Sequence, residues 1–172
     1  MSRELMVLRH GKSDWDAGAA TDFERPLAPR GRKAVKRMGQ WLRKQDLIPD
    51  YIISSPAERA RHTIRRLCRF AKIPDSGIAW EPNIYEANLN ALLEVIAHCS
   101  RDWSRVLLVG HNPGLEYLVR YLADESVKNW DADNLMPTTA LAQLEMPDDW
   151  TQLAPGSARI IAITRARELP GA

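Results

Sequence analysis

Arg-Val-Leu-Leu-Val-Gly-His-Asn-Pro-Gly-Leu-Glu-Tyr-Leu-Val-Arg-Tyr-Leu, residues 105–122, decides the fold class. Val106, Leu107, Leu108 and Val109 form an unbroken apolar run, as expected of a short strand buried on both faces. Residues 110–114 read as a turn, with Pro113 suited to a helix's first turn. Residues 115–122 then return apolar side chains at helical spacing. Strand, tight turn and helix in succession is the building unit of an α/β sheet.

The unit recurs on the N-terminal side. Residues 4–9 read as a buried strand, followed by a polar loop through Asp14, Asp16, Gly18 and Asp22 to Arg-Pro-Leu at 25–27. Pro29 opens a helix to about Gln45, with Val35, Met38 and Leu42 on one stripe. Residues 51–54 read as a strand, and a helix starting at Ser55-Pro56 extends to about Ala71. Residues 78–81 predict a weaker strand and 89–99 a helix. Beyond the deciding stretch come a loop over 124–137 and strands over 140–145 and 158–165. The alternation predicts a single α/β domain over residues 1–172, a mainly parallel sheet with helices on both faces, and a frayed end from Leu169.

Composition fits this reading. The chain has 172 residues, 45% hydrophobic and 27% charged, ordinary values for a globular domain large enough to hold itself together by its core. Its apolar runs fall far short of the roughly 20 residues a membrane span requires. The first residues show no secretory apolar segment, and Cys68 and Cys99 make neither a CxxC pair nor a disulfide framework. A cytoplasmic location is therefore expected, with no membrane partner. The net charge of +2 is too small to imply nucleic acid. The Arg and Lys residues nonetheless crowd between Arg25 and Arg69, while acids gather in the second half, so an anionic ligand is drawn to structure built from the first half.

Open α/β sheets bind ligands at the carboxyl ends of their strands, and three segments place unusual residues there. Arg9-His10-Gly11 follows the first strand; His10 is rigidly held there, and Gly11 is expected to let a ligand approach the backbone. Ser54-Ser55-Pro56 follows the second strand, with Arg59 about one helical turn later. Gly110-His111-Asn112-Pro113-Gly114 follows the strongest strand. It has the outline of a nucleophile elbow, but Asn112 stands where the nucleophile would be, which excludes the serine-hydrolase reading. A helix start facing an anion fits better. Two histidines, two or more arginines and a helix start at one sheet edge suit a phosphoryl group, because arginine forks bind phosphate oxygens and a neutral imidazole is a nucleophile near pH 7. His10, His62, His98 and His111 show no metal-ligand spacing. His62 and His98 are expected to be surface or packing residues.

At these residues the chain resembles the histidine phosphatase superfamily, the phosphoglycerate mutase-like family, and within it the short SixA-type phosphohistidine phosphatase branch. The matching blocks are Leu-Arg-His-Gly at 8–11, Arg-Pro-Leu at 25–27 followed by Gly31, Ser-Ser-Pro at 54–56 with Arg59, Ala60 and Thr63, and Gly-His-Asn-Pro at 110–113. The resemblance implies His10 as the nucleophile that becomes phosphorylated, Arg9 and Arg59 on the phosphoryl oxygens, and His111 stabilising transition-state charge. It implies Arg25 and Asn112 (through its amide) as substrate contacts and Glu86 as general acid, with no metal and no cofactor; Lys12, beside His10 and Gly11, is expected as a further substrate contact. The substrate it implies is phosphohistidine on a protein, a histidine phosphotransfer domain among the partners, acted on by a monomer. Lys12 and Asp16 stand where mutases carry other residues, and 172 residues leave no room for the mutase insertion, which argues against mutase activity. Two alternatives stay open: a phosphomonoesterase for a small phosphate ester, and a non-catalytic phosphate-binding module.

Overall fold

The computed structural model describes residues 3–130 and 133–171; positions 131 and 132 of the expected 124–137 loop, and the extreme termini of the expected domain, lie outside them. Six strands form one sheet: β1 (Arg3–Arg9), β2 (Tyr51–Ser54), β3 (Ala79–Trp80), β4 (Arg105–Gly110), β5 (Leu141–Met146) and β6 (Arg159–Thr164), in the order β3-β2-β4-β1-β5-β6. β4 lies parallel to both β1 and β2, and β2 is parallel to β3; β5 is antiparallel to β1 and to β6. Only β5 therefore runs against the rest, and the mainly parallel sheet expected from the alternation is present.

Strand alternation sorts the core onto two faces. Leu5, Val7, Val106 and Leu108 join one cluster with Leu92 and Ile96 of α3 (Leu89–Ala97) and with Leu115, Leu118 and Leu122 of α4 (Gly114–Leu122). Met6, Leu8, Leu107 and Val109 join the other, with Val35, Met38 and Leu42 of α1 (Pro29–Lys44) and Ile64, Leu67 and Cys68 of α2 (Glu58–Ala71). Pro29 stands at the start of α1, and Arg43 and Lys44 face its negative C-terminal end. Asn88 caps α3 through Oδ1, which accepts the Ala91 amide at 2.9 Å.

The departures in boundary have local causes. α2 starts at Glu58 rather than at Ser55-Pro56, because the Ser55 amide still donates to the Val109 carbonyl at 3.0 Å, extending the β2–β4 ladder; Pro56 also disfavours helical backbone at Ser55. α3 ends at Ala97, where the amides of His98 and Cys99 turn back to Glu94 and Ile96. The 124–137 loop contains a 3-10 turn at Glu125–Asn129. A further 3-10 turn, Ala166–Glu168, packs against α1 and anchors the chain before its end. Among the described residues, no helix is long and apolar enough to cross a membrane.

Candidate active site

The register of the three central strands determines which residues meet. Arg9 pairs with Gly110, and Ser54 pairs with Val109. The next residue on each strand, His10, His111 and Ser55, therefore emerges at the same sheet edge. His10 and His111 stand with ring centroids 5.1 Å apart, and Ser55 Oγ lies 2.7 Å from His111 Nε2.

His10 is 6% exposed. Its Nδ1 lies 2.7 Å from the Gly11 carbonyl; a carbonyl only accepts, so Nδ1 carries the hydrogen and the Nε2 lone pair is left free. Burial, with the positive charges of Arg59, Arg9 and Arg25, pushes the His10 pKa down to about 4 against the opposing Gly11 hydrogen bond. Burial, then His10 and Arg59, lowers His111 to about 3. Both rings are neutral near pH 7.

Arg59 is 6% exposed on the first turn of α2. Its Nη1 donates to the Asp22 carbonyl at 2.8 Å and its Nη2 to Asp22 Oδ2 at 3.1 Å. Arg25 donates from Nε to Ser13 Oγ at 2.9 Å and from Nη1 to Asp22 Oδ1. Tyr85 completes the cluster, donating its hydroxyl to Asp22 Oδ2 at 2.6 Å. The Tyr85 hydroxyl, followed by Arg25 and Arg59, holds the Asp22 carboxyl well below the usual carboxylate range. Arg9 donates to the Met136 carbonyl at 3.1 Å, and Asn112 Nδ2 donates to that same oxygen at 2.9 Å. Burial lowers the Arg9 pKa and Glu116 opposes the change.

Four buried polar atoms in this cluster have no hydrogen-bond partner: Nε of Arg9, Nε of Arg59, Nδ1 of His111 and Oδ1 of Asn112. Unsatisfied buried donors are costly, and an anion with several acceptor oxygens would relieve the guanidinium donors. Arg59, Tyr85, Glu86, His111, Asn112 and Gly114 line one cavity of about 390 Å³. Glu86 stands exposed at its mouth, with left-handed backbone (φ 55°). Among the described residues, no three His, Cys, Asp or Glu side chains converge as a metal would require.

Two sequence readings need correction. The missing Cβ of Gly11 does not clear a path for ligand: a Cβ there would lie 3.0 Å from Val35 and 3.2 Å from Leu27, so Gly11 is small to admit α1. Lys12 is not brought to the cavity of Arg59 and His111: its carbonyl accepts the Ala28 amide at the start of α1, and its exposed side chain lines a second groove with Arg30, Lys33 and Arg37 of α1. His62 pairs with Glu58 at 2.9 Å and His98 ends α3, as their surface reading predicts. Sequence reasoning missed three members. Ser55 had a signal, since it follows β2 as His10 follows β1. Asp22 and Tyr85 had none, because loop closure alone brings residues 63 positions apart into contact.

Comparison with known proteins places this geometry in a family. The family model described as histidine phosphatase superfamily (branch 1) matches residues 5–92. An uncharacterized protein of Mycobacterium tuberculosis is 31% identical over 160 residues, covering 90% of this chain and 96% of that one. Phosphohistidine phosphatase SixA of Escherichia coli is 27% identical over 123 residues, 69% of this chain and 73% of its own. A solved structure from Nakamurella multipartitia, assigned as phosphohistidine phosphatase SixA, superposes with a TM-score of 0.81 at 27% identity over 96% of each chain. The chain belongs to the histidine phosphatase superfamily. Its enzyme class is that of a phosphatase, and the SixA-type structures are its neighbours in fold.

Proposed function

We propose that this enzyme hydrolyses phosphohistidine carried on a protein, through a covalent phosphohistidine at His10. The observation that carries the reading is the His10 ring itself: buried, neutral, its Nδ1 hydrogen held by the Gly11 carbonyl, and its Nε2 free beside three arginines.

The Nε2 lone pair attacks phosphorus, a new N–P bond forms, and the bond to the leaving nitrogen breaks with its electron pair going to that nitrogen, which takes a proton. Water then attacks the phosphorus on His10; an O–P bond forms as the N–P bond breaks, the electron pair returns to Nε2, the water's proton passes to solvent, and inorganic phosphate leaves. Arg9 and Arg59 supply fixed positive charge to the equatorial oxygens, and such donors act without reorganisation. His111 is neutral in the free enzyme, and a bound phosphoryl dianion would favour its protonated form, adding a donor where charge accumulates. Arg25 and the Asn112 amide serve as further substrate contacts, with Arg25 oriented by Asp22 and Ser13.

Imidazole leaves with less acid assistance than an alkoxide. The SixA-type relatives support a phosphohistidine substrate, and an exposed Glu86 without a fixed partner is compatible with a modest role for the acid. The position of Glu86 on the His111 cavity is the observation that favours the other reading, a small-ester phosphomonoesterase with Glu86 as proton donor. The deciding experiment compares kcat/KM for a phosphohistidine-bearing protein with that for a panel of small phosphate esters, without added metal and with His10→Ala as the blank. A strong preference for phosphohistidine is expected. Preference for an ester would transfer the assignment to the phosphomonoesterase, and phosphate binding without turnover of any substrate would leave a binding module.

A further inference from the structure

Beside the site lies a groove of about 350 Å³ whose lining includes Lys12, Arg30, Lys33, Arg37, Arg165 and Arg167. These cations come from three places: the loop after β1, the outer face of α1, and the 3-10 turn Ala166–Glu168 with the residue before it. Their single ion pair among the described residues is Arg165 with Glu168, at 3.8 Å. The Arg165 side chain is 13% exposed, and its Nε is buried without a partner. The remaining lining residues carry no carboxylate and no aromatic ring. The proposed reaction at His10 uses none of these side chains; Lys12, expected among the substrate contacts, lines this groove instead.

The groove shares a wall with the catalytic cluster. Segment 136–139 holds the Arg9 and Asn112 side chains through the Met136 carbonyl, and its Thr139 amide donates to the carbonyls of Arg9 and His10, both at 3.1 Å. Pro137 and Thr138 of the same segment line the groove. The groove and the catalytic cluster are thus built on one segment, and a chain lying in the groove runs along the segment that bonds the backbone of Arg9 and His10.

We infer that this groove docks an acidic segment of the protein that carries the phosphoryl group, an inference that rests on the phosphohistidine reading above. Several charges of one sign with almost no internal partners raise the local concentration of a polyanion and speed its encounter. Arg30, Lys33 and Arg167 are exposed and suit a protein surface better than a small metabolite, whose sites are concave and mostly pre-formed. The lack of aromatic lining argues against single-stranded nucleic acid, which would stack its bases.

The test uses three phosphoryl probes: a synthetic peptide with phosphohistidine beside a run of glutamates, the same peptide with glutamines, and phosphoramidate. A dye-labelled, unphosphorylated copy of the glutamate peptide reports binding directly. The enzyme variant is Arg30→Glu/Lys33→Glu/Arg167→Glu, with the corresponding glutamine variant should charge reversal impair folding. The wild type is expected to prefer the glutamate peptide through KM. The variant is expected to lose about tenfold of kcat/KM on that peptide alone, with phosphoramidate and the glutamine peptide unchanged. Raising salt from about 0.05 to 0.3 M should remove the preference. Equal turnover of the two peptides overturns the inference, as does an equal loss on phosphoramidate. So does displacement of the labelled peptide by a single-stranded oligonucleotide at lower concentration than by the glutamate peptide. If the wild type turns over none of the three probes, the phosphatase reading falls, while the labelled peptide still reports whether the groove binds acidic segments.

Discussion

A histidine that attacks phosphorus must be unprotonated, and an isolated imidazole begins to fail near pH 6.5. From the sequence alone, activity is expected to fall below about pH 6 unless nearby charges move the limb. Burial and the three arginines move it: His10 is expected to stay neutral down to about 4. kcat/KM, corrected for the substrate's own second ionisation near pH ~6, should be flat between neutrality and about pH 5 and fall below about pH 4. A limb at pH 6 instead would mean that His10 is hydrated in solution. The nucleophile and acid separate by substitution. His10→Ala should abolish turnover, whereas Glu86→Gln should cost less than about tenfold on phosphohistidine and on the order of 100-fold on an alkyl phosphate. Equal losses on both substrates would place Glu86 in a role other than protonating the leaving group.

At the scale of elements, the site depends on how tightly α1 seats against the strand ends. A Cβ on Gly31 would fall 2.2 Å from the Lys12 carbonyl, which also accepts the Ala28 amide. Neither backbone can yield without moving the loop that follows His10. Gly31→Ala is therefore expected to destabilise the fold by about 1–3 kcal/mol and to lower kcat with it, read by denaturant unfolding and turnover on the same preparation. Gly39 makes the comparable contact between α1 and α2, where a Cβ would lie 2.8 Å from the Leu67 carbonyl. Because it sits away from the site, Gly39→Ala should cost stability while leaving the kcat of the folded fraction intact. If both variants lost stability and kcat in the same proportion, seating of the His10 loop would not be the cause.

Across the whole molecule, the neutral histidines tie stability to acidity. In the unfolded chain His10 titrates near 6.5, and in the folded one near 4. Between these values the unfolded state binds more protons, so stability is fully present above about pH 6.5 and is lost as pH falls toward 4. The loss from His10 is about 3 kcal/mol, and His111 acts in the same direction. Asp22, held low by Tyr85, Arg25 and Arg59, adds a smaller loss below the ordinary carboxylate range, small because its side chain is half exposed. Unfolding followed from pH 7 to pH 4 should show this slope, and His10→Gln should flatten part of it. An identical slope in that variant would assign the effect to other groups.

Local pattern alone determined the alternation of strands and helices, the two-faced core and the sheet edge at which function gathers. A run such as 106–109 is buried wherever the chain goes, and a residue that ends a strand must emerge at its carboxyl end. For the same reason His10, His111 and Arg59 were legible as neighbours, and Arg25 as a cation available to them. Only the tertiary structure could settle what depends on chain segments distant in sequence. It fixed the neutrality of His10, which follows from its burial and from the charges of Arg59, Arg9 and Arg25, and its tautomer, which only the placement of the Gly11 carbonyl on Nδ1 decides. It drew Asp22 and Tyr85 together across 63 positions. It also placed Lys12 in a groove completed by residues 165–167 rather than in the cavity of Arg59 and His111, because side-chain direction after a strand end is set by the packing of the next element and not by the motif that precedes it.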